Sequence, residues 1–184
     1  MKLKQASRVI KSFVIFTFAL LMASGSAFAS DASKSEEANV DQLIQQIMGL
    51  ASESQQTISS VPFAVGDSLK KVEKSWGPAD DLSTVAANYW SRHIRFLYDG
   101  SMGRKPITAI DDFDPKLQTI HLSDVKRLVG EPVSEVEQEG MYYVTYTDYE
   151  NYKIVFNFES AWMNPDPILH MYTVEKINTK GKRK

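Results

Sequence analysis

The chain has 184 residues, 24% of them charged, with 21 basic against 23 acidic side chains and no cysteine. That length is enough for one domain with a core of its own. A balance on the acidic side excludes a nucleic-acid binder, whose phosphate contacts demand a basic footprint. The absence of cysteine excludes thiol nucleophiles, thiolate metal sites, iron–sulfur clusters and disulfides.

Residues 1–29 read as a segment apart from the fold. Lys2, Lys4, Arg8 and Lys11 form a positive start with no acid, an apolar stretch runs from Phe13 to Ala23, and Ala27-Phe28-Ala29 supplies small residues before Ser30. This is the three-part pattern of a secretory signal peptide, and the apolar run is short of the roughly 20 residues of a membrane span. Cleavage after Ala29 leaves 155 residues with 17 basic and 23 acidic side chains, a net charge of −6. The expectation is a secreted protein, free or associated with the cell wall, without a membrane span after cleavage and held together by its core alone.

Residues 30–60 read as a polar leader and one amphipathic helix. Ser30 to Ala38 is polar and small, and Asn39 with Gln42 has capping-box spacing. Val40, Leu43, Ile44, Ile47, Met48 and Ala51 then recur at helical intervals. Gly49 weakens that helix slightly.

From 61 to 178 a pattern of short helix, Gly-x-Pro stop and aromatic-rich strands occurs twice, in units of about 61–115 and 116–178. In the first, Asp67 is the expected N-cap, Leu69, Val72 and Trp76 the buried face, and Gly77-Pro78 the stop. Strands are predicted at Asn88 to Ser91, Ile94 to Tyr98 and Ile107 to Asp111, with a turn at Asp99-Gly100. In the second, Ser123 is the expected cap, Val125, Leu128 and Val129 the buried face, and Gly130-Glu131-Pro132 the stop. Strands follow at Met141 to Thr147, Tyr152 to Glu159 and Ile168 to Glu175, with a turn at Asn164-Pro165-Asp166-Pro167. Residues 179–184 form a basic tail, read as a solvated end.

Strand alternation sorts the faces. Ile94, Phe96, Tyr98, Tyr142, Val144, Tyr146, Tyr152, Ile154, Phe156 and Phe158 make the core side. Trp90, Arg92, Arg95, Leu97, Tyr143, Thr145, Lys153, Val155 and Asn157 make the opposite one. Aligning the two Gly-x-Pro stops, 53 residues apart, makes Tyr143 the counterpart of Trp90.

The helix, Gly-x-Pro and Tyr-rich strand order resembles the small lipoprotein fold of the outer-membrane assembly factor BamE, without its lipid-anchored cysteine. Tandem copies resemble the β-lactamase inhibitor protein, a secreted binder. Ile107-Thr108-Ala109-Ile110-Asp111-Asp112-Phe113-Asp114-Pro115, Ile120-His121-Leu122-Ser123-Asp124-Val125 and Gly130-Glu131-Pro132 are similar to the YjgB family of secreted Gram-positive proteins with a domain of unknown function. The resemblance covers Val61 to Val174 and carries no catalytic residues. It implies an α+β fold of two tandem BamE-like units, each a short helix plus a three-strand antiparallel meander. The helices would lie on one side of the sheet, preceded by the amphipathic helix.

Reactive constellations are sparse. Asp111, Asp112 and Asp114 lack the glycine and alternation of a Ca²⁺ loop. His93, His121 and His170 show no zinc spacing. Gly100-Ser101-Met102-Gly103 is a hairpin turn rather than a nucleophile elbow. No catalytic residue, metal site or cofactor is expected, and the chain reads as a non-enzymatic binding module. Exposed Trp90 and Tyr143, with Arg95 and Lys153 beside them, would contact a protein or cell-wall polymer as aromatic anchors with basic neighbours. A wall hydrolase and a structural envelope or matrix component are the alternatives.

Overall fold

The computed structural model describes residues 30–147, 152–160, 162 and 164–177. The signal-peptide pattern and the basic tail lie outside them. The helices are α1 (Ser30–Ser54), α2 (Leu69–Trp76) and α3 (Leu122–Val129). The strands are β1 (Asp81–Leu82), β2 (Ala86–Tyr89), β3 (Ile94–Tyr98), β4 (Ile107–Asp112), β5 (Ser134–Gln138), β6 (Met141–Thr147), β7 (Tyr152–Glu159) and β8 (Leu169–Lys176). All eight form one antiparallel sheet in the order β1-β2-β3-β4-β8-β7-β6-β5. The architecture is α+β, as expected.

Each of α2 and α3 is followed by a meander of four strands, where three were predicted. The extra strands were hidden for different reasons. β1 is only two residues long, and β5, Ser-Glu-Val-Glu-Gln, is exposed throughout and has no apolar alternation. Its strand character comes from pairing with β6 across a two-residue turn, Glu139-Gly140, where φ is 53° and 78°. Two consecutive positive φ values suit the twist of a tight hairpin.

Helix starts also depart from expectation. α1 begins at Ser30, so the segment read as a leader is helical. That stretch contains Ala, Lys and Glu and neither Gly nor Pro, so a helix nucleated by the packed part propagates through it at little cost. Ser68, not Asp67, precedes α2; Asp67 accepts from the Ala64 amide at 3.1 Å and pairs with Lys71 at 2.9 Å. His121, not Ser123, caps α3, because Asp124 reaches back to the His121 amide at 3.1 Å. The Ser123 amide and hydroxyl both donate to Asp166, at 2.8 and 2.9 Å.

The core lies between the helices and one face of the sheet. Ile44, Ile47 and Ala51 of α1, Leu69 and Val72 of α2, and Leu122 and Val125 of α3 share one buried cluster with Ile94, Phe96, Ile110, Val144, Ile154, Phe156, Tyr172 and Val174. Burying a side chain of this size contributes about 1.5–3 kcal/mol. Phe63, Trp76, Tyr89 and Phe96 pack edge-on at one end, with Phe63 and Trp76 centroids 4.9 Å apart. Trp76 is half-buried, and the Arg92 guanidinium lies 4.3 Å from its ring centroid. Arg92 is therefore on the helix side and not on the open face. The 3-10 turn Trp90–Arg92, ended by His93 at φ 56°, breaks the strand alternation that placed it there.

Both helix stops carry the same contact. Gly77 has φ 88° and ψ −176°, Gly130 has φ 89° and ψ −157°. The Tyr89 hydroxyl donates to the Gly77 carbonyl at 3.1 Å, and the Tyr146 hydroxyl to the Gly130 carbonyl at 2.8 Å. Burial pushes the Tyr146 phenol up to about 12. These contacts make Tyr146 the counterpart of Tyr89, and Thr147 that of Trp90. The pairing of Trp90 with Tyr143 is thus off by four positions, because β5 and its turn lengthen the second copy ahead of its tyrosine.

One acid sits inside this core. Asp112 is fully buried and accepts from the Ser59 amide at 2.8 Å, the Ser59 hydroxyl at 3.0 Å and the Asp114 amide at 3.0 Å. On the neighbouring strand the Tyr172 hydroxyl accepts from the Ile58 amide at 2.8 Å. Together they fix the segment after α1 to the middle of the sheet. Burial holds the Asp112 carboxyl above its ordinary value, against hydrogen bonds from Ser59, Asp114 and Thr57 that lower it.

Two outcomes follow for stability. Ala at Gly77 or Gly130 forces a side chain into a backbone region kept for glycine and should cost about 1–3 kcal/mol in urea unfolding. Gly49→Ala, in α1 with nothing within 4 Å of the added carbon, should stabilise by about 0.5–1 kcal/mol. Equal effects at all three positions would refute the distinction. For Asp112, a folded value above the unfolded one favours the protonated folded state. Its stabilisation relative to Asp112→Asn is full below the ordinary value of about 3.9 and lost as the pH rises through the folded value. The urea midpoint of the parent chain minus that of Asp112→Asn should therefore fall from about pH 3 to about pH 7. A constant difference would mean a solvated carboxyl.

Candidate functional site

The face of the sheet away from the helices is formed by residues that alternate with the core. Directly opposed residues share a face, so the pairing register gives a continuous row across all eight strands: Asp81, Asn88, Arg95, Asp111, Thr173, Val155, Thr145 and Ser134. Five of these eight residues are hydrogen-bonded sideways. Asn88 Nδ2 donates to Asp81 at 2.9 Å, Arg95 Nε donates to Asp111 at 2.6 Å, and the Thr173 hydroxyl donates to Asp111 at 2.7 Å. A second Arg95 nitrogen also lies 2.6 Å from Asp111, which is almost fully buried although no helix of the described residues covers it. Charge-assisted bonds of this kind are the strong ones.

Parallel rows flank it. On one side are Leu97, Ala109, Glu175, Lys153 and Thr147; on the other Met171, Asn157, Tyr143 and Val136. Phe113, one residue beyond β4, completes the second row: the Arg95 guanidinium lies 5.3 Å from its ring centroid. The Trp90 centroid is 6.5 Å from that of Phe113, and Trp90 is 52% exposed.

The four residues singled out in the sequence occupy this side of the sheet in unequal ways. Trp90 and Arg95 meet around Phe113 and form one patch. Tyr143 is half-buried on β6 between Val136 and Asn157, and Lys153 on β7 is ion-paired with Glu175. β6 and β4 are three strand spacings apart, about 14 Å, so Tyr143 does not join the Trp90 patch. Neither base is a free cation. Sequence reading missed Phe113, Asp111 and Asn88. The signal available was register: once Arg95 is known to oppose Asp111 and Asn88, their shared face follows, but register is not written in either strand alone.

The acid cluster serves three separate structural tasks. Asp111 pairs on the open face, Asp112 is buried on the core face, and Asp114 accepts from the Lys116 amide at 2.9 Å at the start of a 3-10 turn. Adjacent strand residues point to opposite faces, so these carboxylates do not converge, and no group of potential metal ligands occurs among the described residues. His121 Nδ1 lies 3.1 Å from the Asp166 carbonyl oxygen beside Ser123, whose hydroxyl donates to the Asp166 carboxylate. A serine held by the acid in this way supports a helix start, not nucleophilic attack. The Ser101 amide donates to Asp99 at 2.9 Å, and with the Ser101 hydroxyl this holds the Asp99 carboxyl below its ordinary value. The Asp99-Gly100 turn is thereby fixed.

A depression of about 690 Å³ lies elsewhere, between the β1–β2 connection and the β3–β4 loop, lined by Leu82, Val85, Tyr98, Asp99 and Lys105 among others. Within it Lys105 Nζ stands 5.2 Å from the Tyr98 ring centroid. It is an open trough at one end of the sheet, away from the row that runs across all eight strands. No helix of the described residues is long and apolar enough to cross a membrane.

Comparison with known proteins places this fold. No curated protein sequence matches the chain. The crystal structure of YjgB, a DUF4309 family protein from Bacillus subtilis subsp. subtilis str. 168, shares the fold with a TM-score of 0.60 at 10% identity, over 74% of this chain and 97% of that one. The sequence pattern of the family described as "Domain of unknown function (DUF4309)" matches residues 44–174, from the middle of α1 into β8. With more than two thirds of its length matched, the chain belongs to the DUF4309 family.

Proposed function

We propose that this protein is a secreted, non-enzymatic binding module that contacts a protein or cell-wall polymer through the open face of its sheet. The observation that carries this reading is Trp90. It is a large aromatic half in solvent, set on a 3-10 turn and packed against Phe113 beside Arg95, on a face that no helix of the described residues covers. Side chains this costly to expose are the usual anchors of contact surfaces. Arg95 holds the platform through Phe113 and Asp111, while Tyr143 and Lys153 extend the face away from it. Export is supported by the N-terminal pattern. The repeated glycine–tyrosine contact supports two tandem units of the BamE-like kind.

Trp90→Ala removes exposed surface rather than core, so unfolding by urea should change by less than about 0.5 kcal/mol. Co-sedimentation of the purified protein with isolated Gram-positive cell walls, and cross-linking to partners on intact cells, should both fall with Trp90→Ala. Retention of both by the variant would overturn the reading. Release of soluble wall fragments by the parent chain would replace it with a hydrolase.

A further inference from the structure

The trough between the β1–β2 connection and the β3–β4 loop is a different place from the open face. Leu82 opposes Ala87, which is buried on the core side, and directly opposed residues share a face. The trough therefore lies on the helix side of the sheet. Its volume of about 690 Å³ falls within the usual range of small-molecule sites, about 300–1,000 Å³. Both walls are held in place. The Tyr98 hydroxyl donates to the Ser83 carbonyl, and Ser83 Oγ accepts from the Val85 and Ala86 amides at 3.3 and 3.0 Å. Gly100 comes so close to the Thr84 carbonyl that a Cβ there would stand 2.2 Å from its oxygen.

The second unit bridges the same place with its own side chains. Leu82 and Glu135 each stand five residues beyond the glycine of a helix stop, and Val85 and Tyr142 each stand four before the tyrosine that meets it. The register agrees: Leu82 opposes Ala87, two before Tyr89, and Glu135 opposes Val144, two before Tyr146. In the second unit the Tyr142 hydroxyl donates to Glu135, which also takes Lys126 at 2.7 Å. In the first unit the two positions are aliphatic, 49% and 58% exposed, and the trough stays open.

The open trough holds two charges that do not neutralise each other. Lys105 and Asp99 both line it, yet neither makes an ion pair among the described residues. Asp99 accepts from the Ser101 amide and hydroxyl, neutral donors that hold its carboxyl below the ordinary value and keep it ionised at neutral pH. Beside these charges Leu82 and Val85 offer aliphatic surface. A simple anion would be repelled by Asp99, a simple cation by Lys105, and an uncharged apolar molecule would leave both unanswered. A molecule with both charges and an apolar side chain makes two charge-assisted bonds and buries the aliphatic surface.

We infer that the trough binds a free apolar α-amino acid, its carboxylate on the Lys105 ammonium, its ammonium on the Asp99 carboxylate and its side chain against Leu82 and Val85. The site is separate from the open face and does not depend on Trp90.

The test is NMR titration of the full chain with leucine, with 4-methylpentanoate, which lacks the amine, and with 3-methylbutylamine, which lacks the carboxylate. Expected is binding of leucine about tenfold or more tighter than of either analogue, the size of one lost charge-assisted hydrogen bond. Lys105→Gln should erase the advantage over the amine, and Asp99→Asn the advantage over the carboxylate. Val85→Tyr, which gives the first unit the side chain of the second, should abolish leucine binding while the urea midpoint stays near that of the parent chain. Trp90→Ala should leave leucine binding unchanged. Equal binding of all three molecules would overturn the inference, because the charges would then play no part. Tighter binding of either analogue would overturn it too, as would leucine binding that survives Val85→Tyr, or no binding of leucine. None of these results touches the open-face reading, which stands or falls on wall and partner contact by Trp90→Ala.

Discussion

The pairing of β4 with β8 carries two adjacent polar rungs, Asp111 opposite Thr173 and Asp112 opposite Tyr172, and they point to opposite faces of the sheet. Each rung fits one environment only. Asp111 is satisfied by Thr173 and Arg95 on the open face. Asp112 is satisfied on the core face by the Ser59 and Asp114 amides and the Ser59 hydroxyl. A one-residue slip of β4 would exchange the two acids and leave a buried carboxylate without donors, and a slip of β8 would put the core Tyr172 in solvent. The register of this one pair therefore joins two meanders into a single sheet and forbids the alternatives.

The same pair connects the fold to the candidate site. Through Asp112 and Tyr172 it anchors the segment after α1, and so holds the helix layer against the sheet. Through Asp111 it positions Arg95, whose guanidinium braces Phe113, beside which Trp90 packs. A face built this way is rigid because its supports are strand residues with fixed partners.

Much of the fold was legible in the sequence. The Gly-x-Pro stops marked α2 and α3, and the alternation of Ile94, Phe96 and Tyr98 and of Ile154, Phe156 and Phe158 marked the core face correctly. These signals are local, since each is set by a residue's own backbone or its period. The misses share a cause. β5 is a strand because β6 pairs with it, and Arg92 leaves the open face because a single left-handed residue, His93, resets the alternation. The copies were misaligned by four positions because hairpin length is invisible to a constant spacing. Of the residues singled out in the sequence, Trp90 and Arg95 lie together, and Phe113, which joins them, was not among those singled out.

By itself the sequence determined the α+β class, the helix stops, the core side of the central strands and the lack of thiol chemistry, because composition and period act over a few residues. Only tertiary structure decided that the two meanders join through β4 and β8. It also decided that neighbouring acids serve opposite faces, and that Trp90 shares a patch with Arg95 but not with Tyr143. Those outcomes depend on which strands meet and in what register, a choice made by burial and hydrogen-bond satisfaction across 62 residues between Asp111 and Thr173, and no single stretch of chain encodes it.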